Sequence, residues 1–227
     1  MWYPVKVRKG RGIMKRRLLG IAQAVLIALV ILAGAIAVPI LCRPFFYLHI
    51  RPLNLGAMVD LTTQQVKTAY NEMMDYCVGL SPTFSAGALH FSESGASHFT
   101  DVQKLFILDF RVLLVAGVLL TVVLVLSRKK PVQLLGHTPG FWSAVGLGTT
   151  FALVGGIAAL DFDKAFEVFH RLFFPGKSNW LFDSKADPVI NILPAEFFRN
   201  CAILILAVIL LSCIGLLLWD RYMRRRK

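Results

Sequence analysis

The sequence predicts an α-helical integral membrane protein with four transmembrane helices, two extracytoplasmic segments and both termini in the cytoplasm. Three observations carry this. The chain of 227 residues is 56% hydrophobic with a mean hydropathy of +0.64, too apolar for a soluble globular domain. Residues 18–41 form an uncharged run of 24, enough to cross about 30 Å of hydrocarbon at about 1.5 Å per residue. Lys and Arg are also unevenly placed. Seven precede the first run, three (Arg128, Lys129, Lys130) follow the second and five follow Trp219, so fifteen of the 25 fall on one side, with Asp220 the only acid there. That side is cytoplasmic by the positive-inside rule. The net charge of +12 therefore reflects topology. No basic cluster is interleaved with aromatics, so nucleic acid is not an expected partner.

The first span, 18–41, contains Ala35-Ile36-Ala37, which resembles a signal-peptide cleavage site. Its apolar run is too long for a signal peptide, and it reads as a signal anchor. Cys42 follows Leu41, where lipobox processing needs a small residue. Cys42, Cys77, Cys201 and Cys213 show no CxxC or zinc-ligand spacing and read as packing residues. The outer segment 42–104 opens with Arg43-Pro44-Phe45-Phe46-Tyr47, an aromatic cluster at interface depth whose proline ends the first helix. Thr62 with Gln65 is a capping-box pair, and Gly79 is a stop signal. Between them Val66, Ala69, Tyr70, Met73, Met74 and Cys77 recur at helical spacing, which predicts an amphipathic helix buried on one face. From Ser81 to Gly95 the chain reads as irregular, with a short strand at Leu89-His90-Phe91. It turns helical again near Ser97.

The second span, 105–126, needs residues 105–110 to reach full length, which places Asp109 and Arg111 in its outer end. The third, 141–160, is weakened by glycines, and the fourth is 200–219. In the outer segment 161–199, Phe162, Phe166, Phe169 and Phe173 form an apolar stripe, with Asp163, Glu167 and His170 as a separate polar one. Pro175-Gly176 breaks that helix, and Trp180-Leu181-Phe182 reads as an interfacial anchor. No internal repeat interrupts residues 1–227, which read as a single membrane domain.

Residues 91–102 are the densest chemistry in the chain, with Glu93, His98 and Asp101 inside nine positions. A second outer histidine, His170, lies in the other segment. Taken alone, an outer-loop histidine is more often structural than catalytic, and Glu93 or Asp101 would more often cap a helix or pair with a cation. The other histidines, His49, His90 and His137, read as structural.

The blocks Tyr70-Asn71-Glu72, Phe91-Ser92-Glu93-Ser94-Gly95, His98-Phe99-Thr100-Asp101-Val102, Phe169-His170-Arg171-Leu172-Phe173-Phe174, Trp180-Leu181-Phe182-Asp183, Asp187-Pro188 and Ile192-Leu193-Pro194-Ala195-Glu196-Phe197-Phe198 resemble the bacterial lipoprotein intramolecular transacylase family, four-span membrane proteins long filed as a domain of unknown function. The match covers nearly the whole chain. The resemblance implies an acyltransferase of Gram-positive lipoprotein maturation in the cell envelope. Such an enzyme moves the sn-2 acyl chain of an S-diacylglyceryl cysteine to that cysteine's α-amine, leaving lyso-form lipoprotein. It implies His98 and His170 as catalytic, with Glu93, Asp101, Ser92, Asn71 and Tyr70 in support. Diacylglyceryl-modified lipoproteins and membrane lipids are the implied partners. The implied location is the plasma membrane, with the site on the extracytoplasmic face. No cofactor or metal is expected.

The chemistry suits these residues. An O-to-N acyl shift needs a deprotonated amine, with a reference pKa of about 7.7–8.0, and a donor for the oxyanion. General-base help is worth about 10²–10⁴-fold and fixed positioning about 7–11 kcal/mol. We assign His98 as base, with Glu93 or Asp101 holding its tautomer, and His170 as oxyanion stabiliser; the two roles are open to exchange. Trp180, Arg171 and Arg111 are the substrate-binding candidates, against a reading of both arginines as snorkelling cations. Two competing functions are a metal-dependent membrane hydrolase using His98, Asp101 and His170, without any HExxH spacing to support it, and a non-catalytic adaptor that binds lipids or lipoproteins. Charges are absent from the centres of the spans, which argues against an ion transporter.

Overall fold

Four long apolar helices account for the membrane-crossing part of the chain. The computed structural model describes residues 6–128 and 132–226, with side chains from residue 14 onward. Lys129, Lys130 and Lys227, and the side chains of the bases before residue 14, lie outside the described residues, and the orientation argument draws on them. The elements in order are α1 (Lys6–Leu41), α2 (Arg43–Ile50), α3 (Leu55–Met58), α4 (Thr63–Cys77), α5 (Glu93–Ser127), α6 (Pro139–Leu160), α7 (Phe162–Phe173), a 3-10 turn (Pro188–Ile192) and α8 (Ala195–Arg225). The helices long and apolar enough to cross a membrane are Met14–Leu41, Glu93–Ser127, Pro139–Leu160 and Ala195–Arg225; the glycine-rich third has the lowest mean hydropathy, 1.7 against 2.6 to 3.1 for the others. At 35 residues α5 exceeds what a bilayer needs. Its residues 93–104, which carry His98 and the charged side chains Glu93, Asp101 and Lys104, precede the apolar run that begins at 105.

The chain divides into two compact units. One comprises Met1–Gly34, Val112–Val154 and Leu206–Lys227. Ser143 Oγ donates to the Ala24 carbonyl at 2.6 Å. The buried Asp220 accepts from His137 Nδ1 at 2.9 Å and from the Thr138 amide at 2.7 Å. His137 is thus structural, as expected.

The other unit comprises Ala35–Arg111 and Gly155–Ile205 and carries the outer segments. Its core joins Phe46 and Ile50 of α2, the buried face of α4, Val189 and Ile192 of the 3-10 turn, and Phe197 of α8. The capping box at Thr62 and Gln65 is present, Gly79 adopts the left-handed φ of a helix stop (82°), and all six expected apolar residues of α4 are buried. Pro44 does not merely end α1. Cys42, exposed, makes the break, and Pro44 sits in the first turn of a new helix, where its missing N–H costs nothing. Phe46 is accordingly a core residue stacked on Tyr70, with centroids 3.6 Å apart, instead of a membrane-belt aromatic.

Two further expectations need correcting. Residues 89–91 are not a strand, and among the described residues no strand forms; the one extended pairing is an isolated Leu134–His137 bridge. Residues 183–187 partner this stretch without forming a ladder: His90 Nε2 meets the Lys185 carbonyl at 2.8 Å, and Ser92 binds the Asp187 carboxylate. The helix at Ser97 starts earlier, at Glu93. Ser92 Oγ accepts from the Gly95 amide at 3.0 Å and so caps it.

Candidate active site

α5 and α7 each contribute one histidine, and the two rings face each other with centroids 5.9 Å apart and 29° between planes. His98 is 5% exposed and His170 8%. Aromatic rings surround both. Phe174 and Phe182 lie 4.9 and 5.3 Å from His98, while Phe166 and Trp180 lie 4.2 and 5.0 Å from His170. His170 belongs to a packed interior and not to a solvated stripe with Glu167 and Asp163. Of the expected phenylalanine stripe, Phe162 and Phe166 are partly covered and Phe169 and Phe173 are exposed.

The start of α5, and with it His98, is set by a residue far away in sequence. Asp187, 4% exposed, accepts from the Ser92 amide at 2.7 Å and from Ser92 Oγ at 2.8 Å. Its carboxylate lies so near Gly95 that any Cβ there would overlap it. α7 has a simpler start, with Asp161 capping the Lys164 amide at 2.9 Å.

His170 Nδ1 lies 2.8 Å from the Phe166 carbonyl. A carbonyl only accepts, so Nδ1 carries the proton and Nε2 of the neutral ring presents a lone pair. His98 Nδ1 is buried with no hydrogen-bond partner among the described residues. A proton there would be a buried, unsatisfied donor, so the favoured tautomer carries it on Nε2. Burial pushes the His98 pKa down to about 4; the neighbouring His170 and Lys177 add to this and Asp101 opposes it. Burial also lowers His170, while its bond to the Phe166 carbonyl pulls the other way. Both shifts favour the neutral ring.

Neither carboxylate expected to fix the His98 tautomer does so. Glu93 is exposed on the first turn of α5, where it complements the helix dipole. Asp101, 7% exposed, accepts from Lys177 Nζ at 2.5 Å, Asn179 Nδ2 at 3.1 Å and Lys104 Nζ at 3.2 Å. These donors hold its pKa down at about 2 against the upward pull of burial. Tyr70 belongs to the core, stacked on Phe46, and the half-buried Asn71 accepts from Tyr47 through Oδ1 at 2.7 Å. Of the substrate-binding candidates, Trp180 packs on His170 and donates to the Lys177 carbonyl. Arg171 is exposed and paired with Glu167 at 2.6 Å, and Arg111 is exposed. Lys177, Asn179 and Asp187 are the site's unanticipated members. Asp187-Pro188 is a visible helix-start signal, but Lys177 and Asn179 carry no local pattern.

Among the described residues no group of three or more His, Cys, Asp or Glu side chains is arranged to hold a metal ion. The arrangement amounts to one lone pair and one N–H donor among packed aromatic rings, which suits proton transfer beside a developing oxyanion.

A search of curated protein sequences found no match. Solved structures do match. The in meso structure of the membrane integral lipoprotein intramolecular transacylase Lit from Bacillus cereus is 25% identical, covers 94% of this chain and 97% of its own, and has a TM-score of 0.85. Two Bacillus cereus Lit structures with a histidine replaced by arginine or by alanine are also 25% identical, each covers 96% of this chain, and each has a TM-score of 0.80; 95% and 97% of those chains are covered. The family model for lipoprotein intramolecular transacylase Lit matches residues 21–198, nearly the whole of both outer segments and three of the spans. This multi-pass membrane protein belongs to the lipoprotein intramolecular transacylase Lit family.

Proposed function

We propose that this chain is an intramolecular acyltransferase of the plasma membrane. It moves the sn-2 acyl chain of an S-diacylglyceryl cysteine to the α-amine of the same cysteine, on the extracytoplasmic face. The observation that carries the reading is the pair of buried histidines, one from each outer segment, with rings 5.9 Å apart and complementary tautomers. Family membership supports the reaction class. The excess of Lys and Arg at both ends of the chain and between α5 and α6 supports the orientation.

The geometry favours exchanging the two roles assigned from sequence. His170 Nε2, with its lone pair free, is the base; His98, with its proton on Nε2, is the oxyanion donor. The amine attacks the ester carbonyl, and the nitrogen becomes acidic as the N–C bond forms, so a weakly basic His170 can take its proton. The C–O bond to the glyceryl oxygen then breaks, and the proton passes from His170 to that oxygen. No water is consumed and the lipoprotein keeps its mass. Losing the base is worth about 10²–10⁴-fold and losing one oxyanion donor about 10²–10³-fold. Most of the acceleration comes from ester and amine lying on one molecule in a fixed pocket.

The test is mass spectrometry of the N-terminal peptide of a reporter lipoprotein, co-expressed with the wild type, His98→Ala or His170→Ala in a host lacking N-acylation. An N-acyl, S-monoacylglyceryl cysteine of unchanged total mass in the wild type alone is the expected result. A free amine in every sample, with the protein present in the membrane, overturns the reading and leaves the lipoprotein-binding adaptor.

A further inference from the structure

We infer that Lys177 is a positioning residue of this site: its ion pair with Asp101 fastens the loop after α7 to α5 and so holds the two histidines face to face. The inference rests on the transacylase reading for its kinetic consequence, though not for its structural one.

The loop 174–187 supplies much of the pocket wall. Phe174 and Phe182 pack on His98 and Trp180 packs on His170. Pro175 and Gly176, the latter at φ 71°, end α7, so helical hydrogen bonds do not carry the loop. Its ties to α5 are Lys177 and Asn179 on Asp101, with a weaker Asn179–Ser97 contact at 3.4 Å, and Asp187 on Ser92 at its far end. Among these, Lys177–Asp101 is the charged tie nearest His98. The Trp180 indole donates to the Lys177 carbonyl at 3.0 Å, so the ring that packs on His170 is referred directly to the tethered residue.

Two cations touch Asp101 but they are not equivalent. Lys104 lies on the same helix and its side chain is 69% exposed, so its pairing is screened and cannot tether the loop. Lys177 comes from the loop, is less exposed, and reaches a carboxylate that is itself 9% exposed. Removing Lys177 leaves the covered Asp101 carboxylate to Lys104 of its own helix and to the neutral Asn179 amide, so the loop loses its charged tie to α5 and is free to move. The charged and titratable groups facing His98 are His170, Asp101 and Lys177, the last two acting on it in opposite senses. The pair therefore acts on the site through position, and a displacement of about 1 Å can cost about 10²-fold.

The experiment compares wild type, Lys177→Met and Lys177→Arg in two readouts: kcat and KM on diacylglyceryl lipoprotein, and hydrogen–deuterium exchange of residues 174–186 in detergent or nanodiscs. Lys177→Met is expected to lower kcat by about 10–100-fold, leave KM within about twofold, and speed exchange in the loop. Lys177→Arg, which keeps the ion pair, is expected to restore both. Wild-type kcat in Lys177→Met overturns the inference. So does a loss of activity without faster exchange, or an arginine variant as inactive as the methionine one with its loop still ordered; each would mean that Lys177 acts on the substrate itself. If the wild type forms no N-acyl product the transacylase reading falls, while the exchange comparison still decides the tether.

Discussion

The two histidines differ in what holds their protons, and that difference is testable one residue at a time. His170 is locked by the Phe166 carbonyl with its lone pair on Nε2; His98 lacks an Nδ1 partner among the described residues and is left to donate from Nε2. An amide side chain can donate a hydrogen bond but cannot take a proton at neutral pH. His98→Gln should therefore keep part of the activity that His98→Ala loses, while His170→Gln should be as inactive as His170→Ala, about 10²–10⁴-fold down. Equal losses in both glutamine variants, measured as kcat on one substrate, would contradict the assignment. The pH profile gives an independent check. Both pKa values lie below the usual 6.5, His98 at about 4, so the His170 lone pair is lost only in acid below 6.5. As pH rises toward 8 the rate should follow the free-amine fraction of the substrate, with a pKa of about 7.7–8.0, and show no break at 6.5. A break at 6.5 that disappears in His170→Gln would mean that the ring is solvated. The residues named from sequence split along the same physical line. A histidine in an outer segment stands out by its type. Lys177 and Asn179 meet a carboxylate more than 70 residues earlier, and no local spacing records that.

At the scale of the element, α5 begins at Glu93, four residues before the point that local patterning predicts. Its cap, Ser92, was within view, but the group that fastens Ser92 is Asp187, which lies in the other outer segment. Gly95 looked like the end of a loop because glycine is a poor helix former. It is required for another reason, since a Cβ would enter the space of the Asp187 carboxylate, which the Ser92 amide and hydroxyl pin in place. Gly95→Ala should lower the thermal midpoint in detergent. Asp187→Ala should also lower it, through loss of two buried hydrogen bonds at about 1 kcal/mol each. The double variant should be no less stable than Asp187→Ala alone, because the clash has no partner once the carboxylate is gone. Strict additivity of the two midpoints would rule this account out. By contrast, α4 was legible to the residue, since its capping box, its stop glycine and its apolar face are all local features. α2 was not, because a proline after a break reads equally well as an end or a beginning.

For the whole molecule, the four spans are legible because a long apolar run needs no tertiary context, whereas the side of the membrane proposed to hold the site rests on charge alone. The apolar residues of α7 give the outer surface a further character. Val168, Phe169, Leu172 and Phe173 are exposed, as is Leu181 beyond it, and a single residue, Asp161, separates the end of α6 from the start of α7. An amphipathic helix so close to a span end suits the headgroup boundary, which is the depth at which a diacylglyceryl ester is found. On the proposed orientation, Leu181→Cys in a variant lacking the four native cysteines should react with a membrane-impermeant maleimide in intact cells. Tyr222→Cys, near the other end of α8, should react only after lysis. Reversed labelling would put the histidines on the cytoplasmic side, where the positive-inside argument would fail together with the proposed access to exported lipoproteins. Labelling of both positions from outside would mean mixed insertion, and the bases at the two termini would then not set the topology. The same membranes bear on the competing hydrolase. Preincubation with a chelator should leave acyl transfer unchanged, because the proposed steps need only one imidazole lone pair and one imidazole N–H. Loss of transfer on chelation, with recovery on adding zinc, would instead make the histidine pair a metal site and replace the proton-transfer scheme.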